Sequence, residues 1–247
     1  MTDVSALLRS AGFAGDGVDL RIVDRRTALT GTTLADLADD AAALRDAVDE
    51  YAELQQQQFG PSAERHVAAL WLLQDVAWIH AVLAVGLIGT HGISLRVPAD
   101  GLGMELPRDM FFGVAVAADA IRTEVATSRI ERAALYRTGR RHLGDLLEPL
   151  REPIRGQLRA GARAFWACVT DMATGAICTG ASRRPDRLEE ELAAFDAPTG
   201  DGEDRLLHGE RLVPSPAGPI RRRHGCCLLY TIEGMSLCFS CPRIPAT

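Results

Sequence analysis

The sequence predicts an α+β protein that is mainly α-helical, a helical scaffold with a small antiparallel sheet and a C-terminal cysteine hairpin. Three observations predict it. Apolar residues recur at three- and four-residue steps through most of the long segments, the period of a helix with one buried face. Short alternating segments bounded by Gly and Pro are few, enough for a small sheet only. Four of the six cysteines fall within Cys226–Cys241, a density that marks a metal site or a disulfide knot.

The chain has 247 residues, 47% apolar and 24% charged, with a net charge of −6. These are values of a globular protein with a sizeable core, without the basic field of a nucleic-acid binder. All 27 basic residues are arginines, whose planar forks suit oxygen-rich anions. Met1 to Ser10 carries Asp3 and Arg9 and lacks the apolar stretch of a signal peptide. The expected location is therefore the cytoplasm, or the inner face of the membrane as a peripheral protein. Thiols stay reduced there. Val67 to Ile88 is the most apolar stretch, but Gln74, Asp75 and His80 interrupt it. It reads as a buried helix rather than a membrane span.

In order along the chain, Ser5–Ser10 reads as a short helix closed by Gly12 and Gly15. Val18–Val23 alternates as an edge strand. Thr32-Thr33 caps a helix from Leu34 to about Gln58, and Gly60-Pro61 breaks it. The next helix opens at Ser62 and runs to about Gly89. Its His66 and His80 lie about 21 Å apart along the axis, too far to share a metal, and read as core or boundary residues. Ile93–Val97, Gly103–Leu106 and Met110–Ala117 read as a three-stranded antiparallel meander. Helices are expected over Thr123–Arg137, Arg140–Leu150 with a break near Pro153, Ile154 to about Thr179, and Arg187–Phe195. Phe165, Trp166, Cys168 and Cys178 read as core, and His142 as an exposed residue near a helix start. A Pro-, Gly- and Asp-rich loop at Ala197–Gly202 separates residues 1–205, the helical scaffold, from residues 206–247, the cysteine-bearing segment packed on it as one compact unit.

The cysteine segment begins with Arg221-Arg222-Arg223-His224-Gly225-Cys226-Cys227. Ten residues follow before Cys238-Phe-Ser-Cys241-Pro242. Two intervening residues let Cys238 and Cys241 face one metal, the geometry of zinc and iron–sulfur sites. Vicinal Cys226 and Cys227 point apart and need an unusual local backbone. Leu228–Ile232 reads as a strand and Glu233-Gly234 as a turn, a hairpin returning one pair beside the other. On spacing alone, a zinc site, a strained disulfide and a four-cysteine iron–sulfur site remain open.

This pattern, Cys-Cys-x10-Cys-x2-Cys preceded by arginines, resembles the signature of the FhuF-type ferric-siderophore reductases. A weaker likeness extends over the helix around Leu70-Trp71-Leu72, the strands after it, and the Trp166 helix following Leu147-Glu148-Pro149-Leu150. Relatives tend to carry a small residue and then asparagine after that tryptophan. This chain has Ala167 and Cys168. The resemblance implies a 2Fe–2S cluster held by Cys226, Cys227, Cys238 and Cys241. It implies one-electron reduction of siderophore-bound Fe(III) and release of Fe(II) for iron assimilation. It further implies an external donor such as a ferredoxin or flavin reductase system. No residue beyond the cluster has an expected catalytic role. Arg221, Arg222 and Arg223 are expected to tune the potential or attract an anionic chelate, the alternative being a solvated basic turn. Rival functions are an iron–sulfur carrier or redox sensor without siderophore chemistry, and a zinc-stapled siderophore-related binding protein.

Overall fold

The computed structural model describes residues 4–10, 18–108, 111–182, 184–198, 204–209, 211–213 and 220–244. The turn glycines Gly12 and Gly15, Met110, most of the Ala197–Gly202 loop, and Pro214, Pro216 and Pro219 lie outside these. The elements run α1 (Val4–Ser10), β1 (Val18–Val23), β2 (Thr32–Thr33), α2 (Leu34–Asp39), α3 (Ala41–Phe59), α4 (Arg65–Ala81), a π-helical segment (Val82–Gly86), α5 (Ile88–His91), β3 (Ile93–Arg96), β4 (Leu102–Arg108), β5 (Phe111–Ala117), β6 (Arg122–Val125), α6 (Arg129–Leu158), α7 (Ala162–Gly180), α8 (Leu188–Asp196), β7 (Arg211–Val213) and β8 (Ile220–Arg222). Mainly helical α+β architecture is thus the fold class.

α4 is the hub, packing against α3, α6 and α7. Val67, Leu73, Val76 and Ala77 are at most 1% exposed, which is why the stretch is apolar almost all round. It passes, by length and composition alone, as a helix that could cross a membrane, but most of it is buried inside this fold. The π segment continues it where α7 crosses closest. A Cβ on Gly180 would sit 2.0 Å from the Gly86 carbonyl oxygen, so only glycine permits that approach.

The sheet departs from expectation. It is four-stranded in the order β1-β5-β4-β2, and β1 runs parallel to β5 while the other neighbours are antiparallel. The sheet is therefore mixed rather than purely antiparallel. The β4–β5 hairpin forms as expected, but β3 leaves the meander and pairs with β6 at Ile93–Val125 through Arg96–Arg122. Residues 123–125, expected to be helical, are consequently part of strand β6. The helix after them starts at a capping box, in which Ser128 Oγ accepts from Glu131 N and the Glu131 carboxylate accepts from Ser128 N.

Two helix boundaries also move. The first long helix is divided at Asp40, whose side chain accepts from Ala42 N and Ala43 N and so starts α3 afresh. α6 runs unbroken through Pro149 and Pro153 to Leu158. The two prolines are four residues apart on one side of the helix, away from the buried Leu147, Leu150 and Ile154, so the carbonyls they leave unpaired can reach solvent. The break comes instead at Arg159, which is left-handed (φ 50), followed by Gly161 as N-cap of α7. His142 accordingly lies inside α6, half-buried, and burial together with Arg96 lowers its pKa to about 4. His80, Phe165, Trp166 and Cys168 are buried, as expected.

Candidate metal centre

α7 carries the geometry of the cysteine segment. Between Arg163 near its start and Thr179 near its end, its polar side chains are Thr170, Asp171 and Thr174, each 1% exposed. Successive helical turns aim these polar groups at the last part of the chain. Thr170 Oγ1 accepts from Leu207 N at 2.9 Å. The Asp171 carboxylate accepts from His224 N at 2.7 Å and Gly225 N at 2.8 Å. Arg221 Nη1 donates to Thr174 Oγ1 at 2.8 Å and lies 3.3 Å from Asp171 Oδ1. Burial pushes the Asp171 carboxyl up, while Arg221 and the two backbone N–H groups oppose that shift. The segment sits close to the helix because two small residues meet there. A Cβ on Gly225 would lie 3.3 Å from the Ala167 Cβ.

The arginine run is therefore not a solvated turn. Arg221 and Arg222 belong to β8, paired with β7. The Arg221 and Arg223 side chains are each only 13% exposed. Arg223 Nε lies 4.0 Å from Asp171 Oδ2, and its backbone N–H donates to the Ser240 carbonyl at 3.0 Å. That last bond ties the start of the segment to its second cysteine pair.

The vicinal cysteines are followed by the unusual backbone that their adjacency requires. Leu228 is left-handed (φ 59), a conformation costing a non-glycine residue on the order of 1 kcal/mol or more. It turns the chain so that Leu228 N reaches Cys226 Sγ at 3.4 Å. A 3₁₀ turn over Leu229–Thr231 follows, then a tight turn at Gly234 (φ 81). The expected hairpin is thus absent, because a left-handed residue and a 3₁₀ turn occupy the positions that read as a strand. The connection is a loop pinned by Ile232, which packs with Ala63 and Val67, and by Glu233 N donating to Ser62 Oγ. Trp71 of α4 holds the other side, its indole N–H donating to the Cys227 carbonyl at 3.0 Å.

The loop still closes the spacing. Cys227 Sγ lies 3.7 Å from Cys238 Sγ, and the Cys226 and Cys241 side chains interact. All are free thiols. Two sulfurs bound at about 2.3 Å to one tetrahedral ion lie about 3.8 Å apart, so the Cys227–Cys238 separation suits a shared metal. Among the described residues, no three His, Cys, Asp or Glu side chains group to hold one ion. The thiols meet instead as two pairs. Burial and the neighbouring sulfur push the Cys226 and Cys227 thiols up, so side-by-side thiolates here call for a bound cation. Cys226, Cys227, Cys238 and Cys241 are the residues here that could hold a metal or a metal cluster. Cys168 is buried on α7, which pushes its thiol far up, and Cys178 is half-buried on the same helix.

Beside the pairs is a cavity of about 390 Å³. His66, Leu70 and Gln74 line it from one face of α4, Ala164 and Cys168 from α7, and Cys226 from the loop. Sequence reasoning missed both the cavity and Asp171. A lone carboxylate within the apolar run Phe165–Met172 was the signal available for the latter. No protein-family model matches this chain, and no curated protein matches it in sequence.

Proposed function

We propose that this protein is a cytoplasmic ferric-siderophore reductase. The observation that supports it most is the meeting of four free thiols as two pairs, one of them 3.7 Å apart, on the spacing that resembles the FhuF-type signature. Cys226, Cys227, Cys238 and Cys241 would hold the 2Fe–2S group. When bound, such a group supplies electrons one at a time. The net reaction takes one electron from an external donor, which is oxidised, and adds it to chelated Fe(III). The products are Fe(II) and free siderophore, because Fe(II) is a softer acid and binds anionic oxygen ligands more weakly.

The chain's own contribution is positional and electrostatic. Asp171 fixes the backbone ahead of Cys226, and Trp71 fixes the Cys227 carbonyl. Arg221 is held by Asp171 and Thr174, which makes it an anchor first. Arg223 borders both Asp171 and the cavity, so among the three arginines it is best placed to act on potential or chelate. Rapid mixing of dithionite-reduced protein with ferric siderophores, under anaerobic conditions, tests the reading. Visible absorption should return to the oxidised spectrum, saturating with chelate. Oxidation by simple acceptors but by no ferric siderophore would make the protein a carrier or sensor instead.

A further inference from the structure

Resting on that reading, we propose that the cavity between α4, the end of α6, the start of α7 and the cysteine loop is where the ferric chelate binds, with Arg159 and Arg223 taking its anionic oxygens. The walls follow from helical periodicity. His66, Leu70 and Gln74 are four residues apart on α4, and Ala164, Cys168 and Asp171 are four and three apart on α7, so each helix turns one stripe toward the space. Leu158 closes α6 beneath it, 5% exposed. The left-handed Arg159 then projects its guanidinium at the mouth, 74% exposed and 3.6 Å from Glu64 Oε2. That exposed pair is weak and exchangeable.

An apolar interior with a few convergent polar groups is the usual form of a small-molecule site, and about 390 Å³ lies within its usual range. Two arginine forks suit the paired oxygens of a hydroxamate or catecholate arm. Asp171, the one acid on the wall among the described residues, is already occupied by two backbone N–H groups and Arg221. Cys226 is itself part of the lining, so a chelate arm seated there would contact a ligand of the redox group directly.

Gallium(III) complexes test the site apart from the reaction, since Ga(III) matches Fe(III) in charge and ligand preference but accepts no electron under these conditions. Gallium trihydroxamate and gallium tricatecholate would be titrated calorimetrically into the wild-type holoprotein and two variants. Arg159→Asn keeps a residue tolerant of the left-handed backbone, and Ala164→Trp plugs the mouth from an exposed position. Equal thermal midpoints and unchanged visible spectra would show both variants folded. If the assignment holds, at least one complex binds the wild type, Arg159→Asn weakens it about tenfold, and Ala164→Trp abolishes it. The complex that binds identifies the donor chemistry. Failure of both complexes to bind, or equal affinity in all three proteins, overturns the site. If ferric chelates nevertheless oxidise the reduced wild type, the reductase reading stands and only the location is wrong.

Discussion

At the residue scale, the fate of the cysteine segment turns on Asp171. Two backbone N–H groups and Arg221 depend on one carboxylate that is 1% exposed. Asp171→Ala leaves the two backbone N–H groups without this acceptor, at a cost of about 1–3 kcal/mol each, and leaves Arg221 with Thr174. We expect iron bound per chain to fall severalfold and the urea midpoint to drop. Asp171→Asn keeps one acceptor and should lie between. Wild-type iron content and midpoint in the alanine variant would refute this anchoring role. The four cysteines were visible in the sequence because their spacing is a local property. Asp171 was not, because its role depends on an approach between residues more than fifty apart. Leu228 stands between these cases. Vicinal cysteines implied an unusual backbone, but not that it would be a left-handed leucine.

At the element scale, α6 holds the approach to the site through Arg140. Its side chain is fully buried. Nε is 2.9 Å from both Asp204 oxygens, Nη2 donates to the Leu206 and Leu207 carbonyls, and the guanidinium lies 5.0 Å from the Phe195 ring centre. Removing one partner from a buried ion pair costs about 3–5 kcal/mol. Arg140→Ala should lower unfolding stability by that order in denaturant titration, and a change under 1 kcal/mol would contradict it. Element types were largely legible, since helical and alternating periods are written in the chain. Partners and boundaries were less so. β3 reads as a strand from its own residues, yet nothing local says that it pairs with β6 rather than β4. Pro153 reads as a break, yet it is tolerated because its face of α6 points away from the core.

At the scale of the whole molecule, the buried titratable groups around the hub set a pH dependence. Burial lowers the pKa of His80 to about 3 and of His142 to about 4, and raises that of Asp75 to about 6. Between pH 4 and 6 the unfolded chain binds two more protons at the histidines and one fewer at the aspartate. The excess at these three groups is about one proton, so together they contribute a rise in stability with pH in this window of about 1.4 kcal/mol per unit. Denaturant titrations at pH 5 and 6 should show that slope in wild type, and a nearly flat response in His80→Leu. An unchanged slope in the variant would remove His80 from the account.

The central claim is that the cysteine pairs hold two bridged irons, and direct analysis of metal and acid-labile sulfide in anaerobically purified protein tests it most directly. The account predicts a red-brown protein with equal iron and sulfide, two of each per chain, lost in Cys238→Ser and retained in Cys168→Ser. A colourless protein with stoichiometric zinc and no sulfide would contradict it.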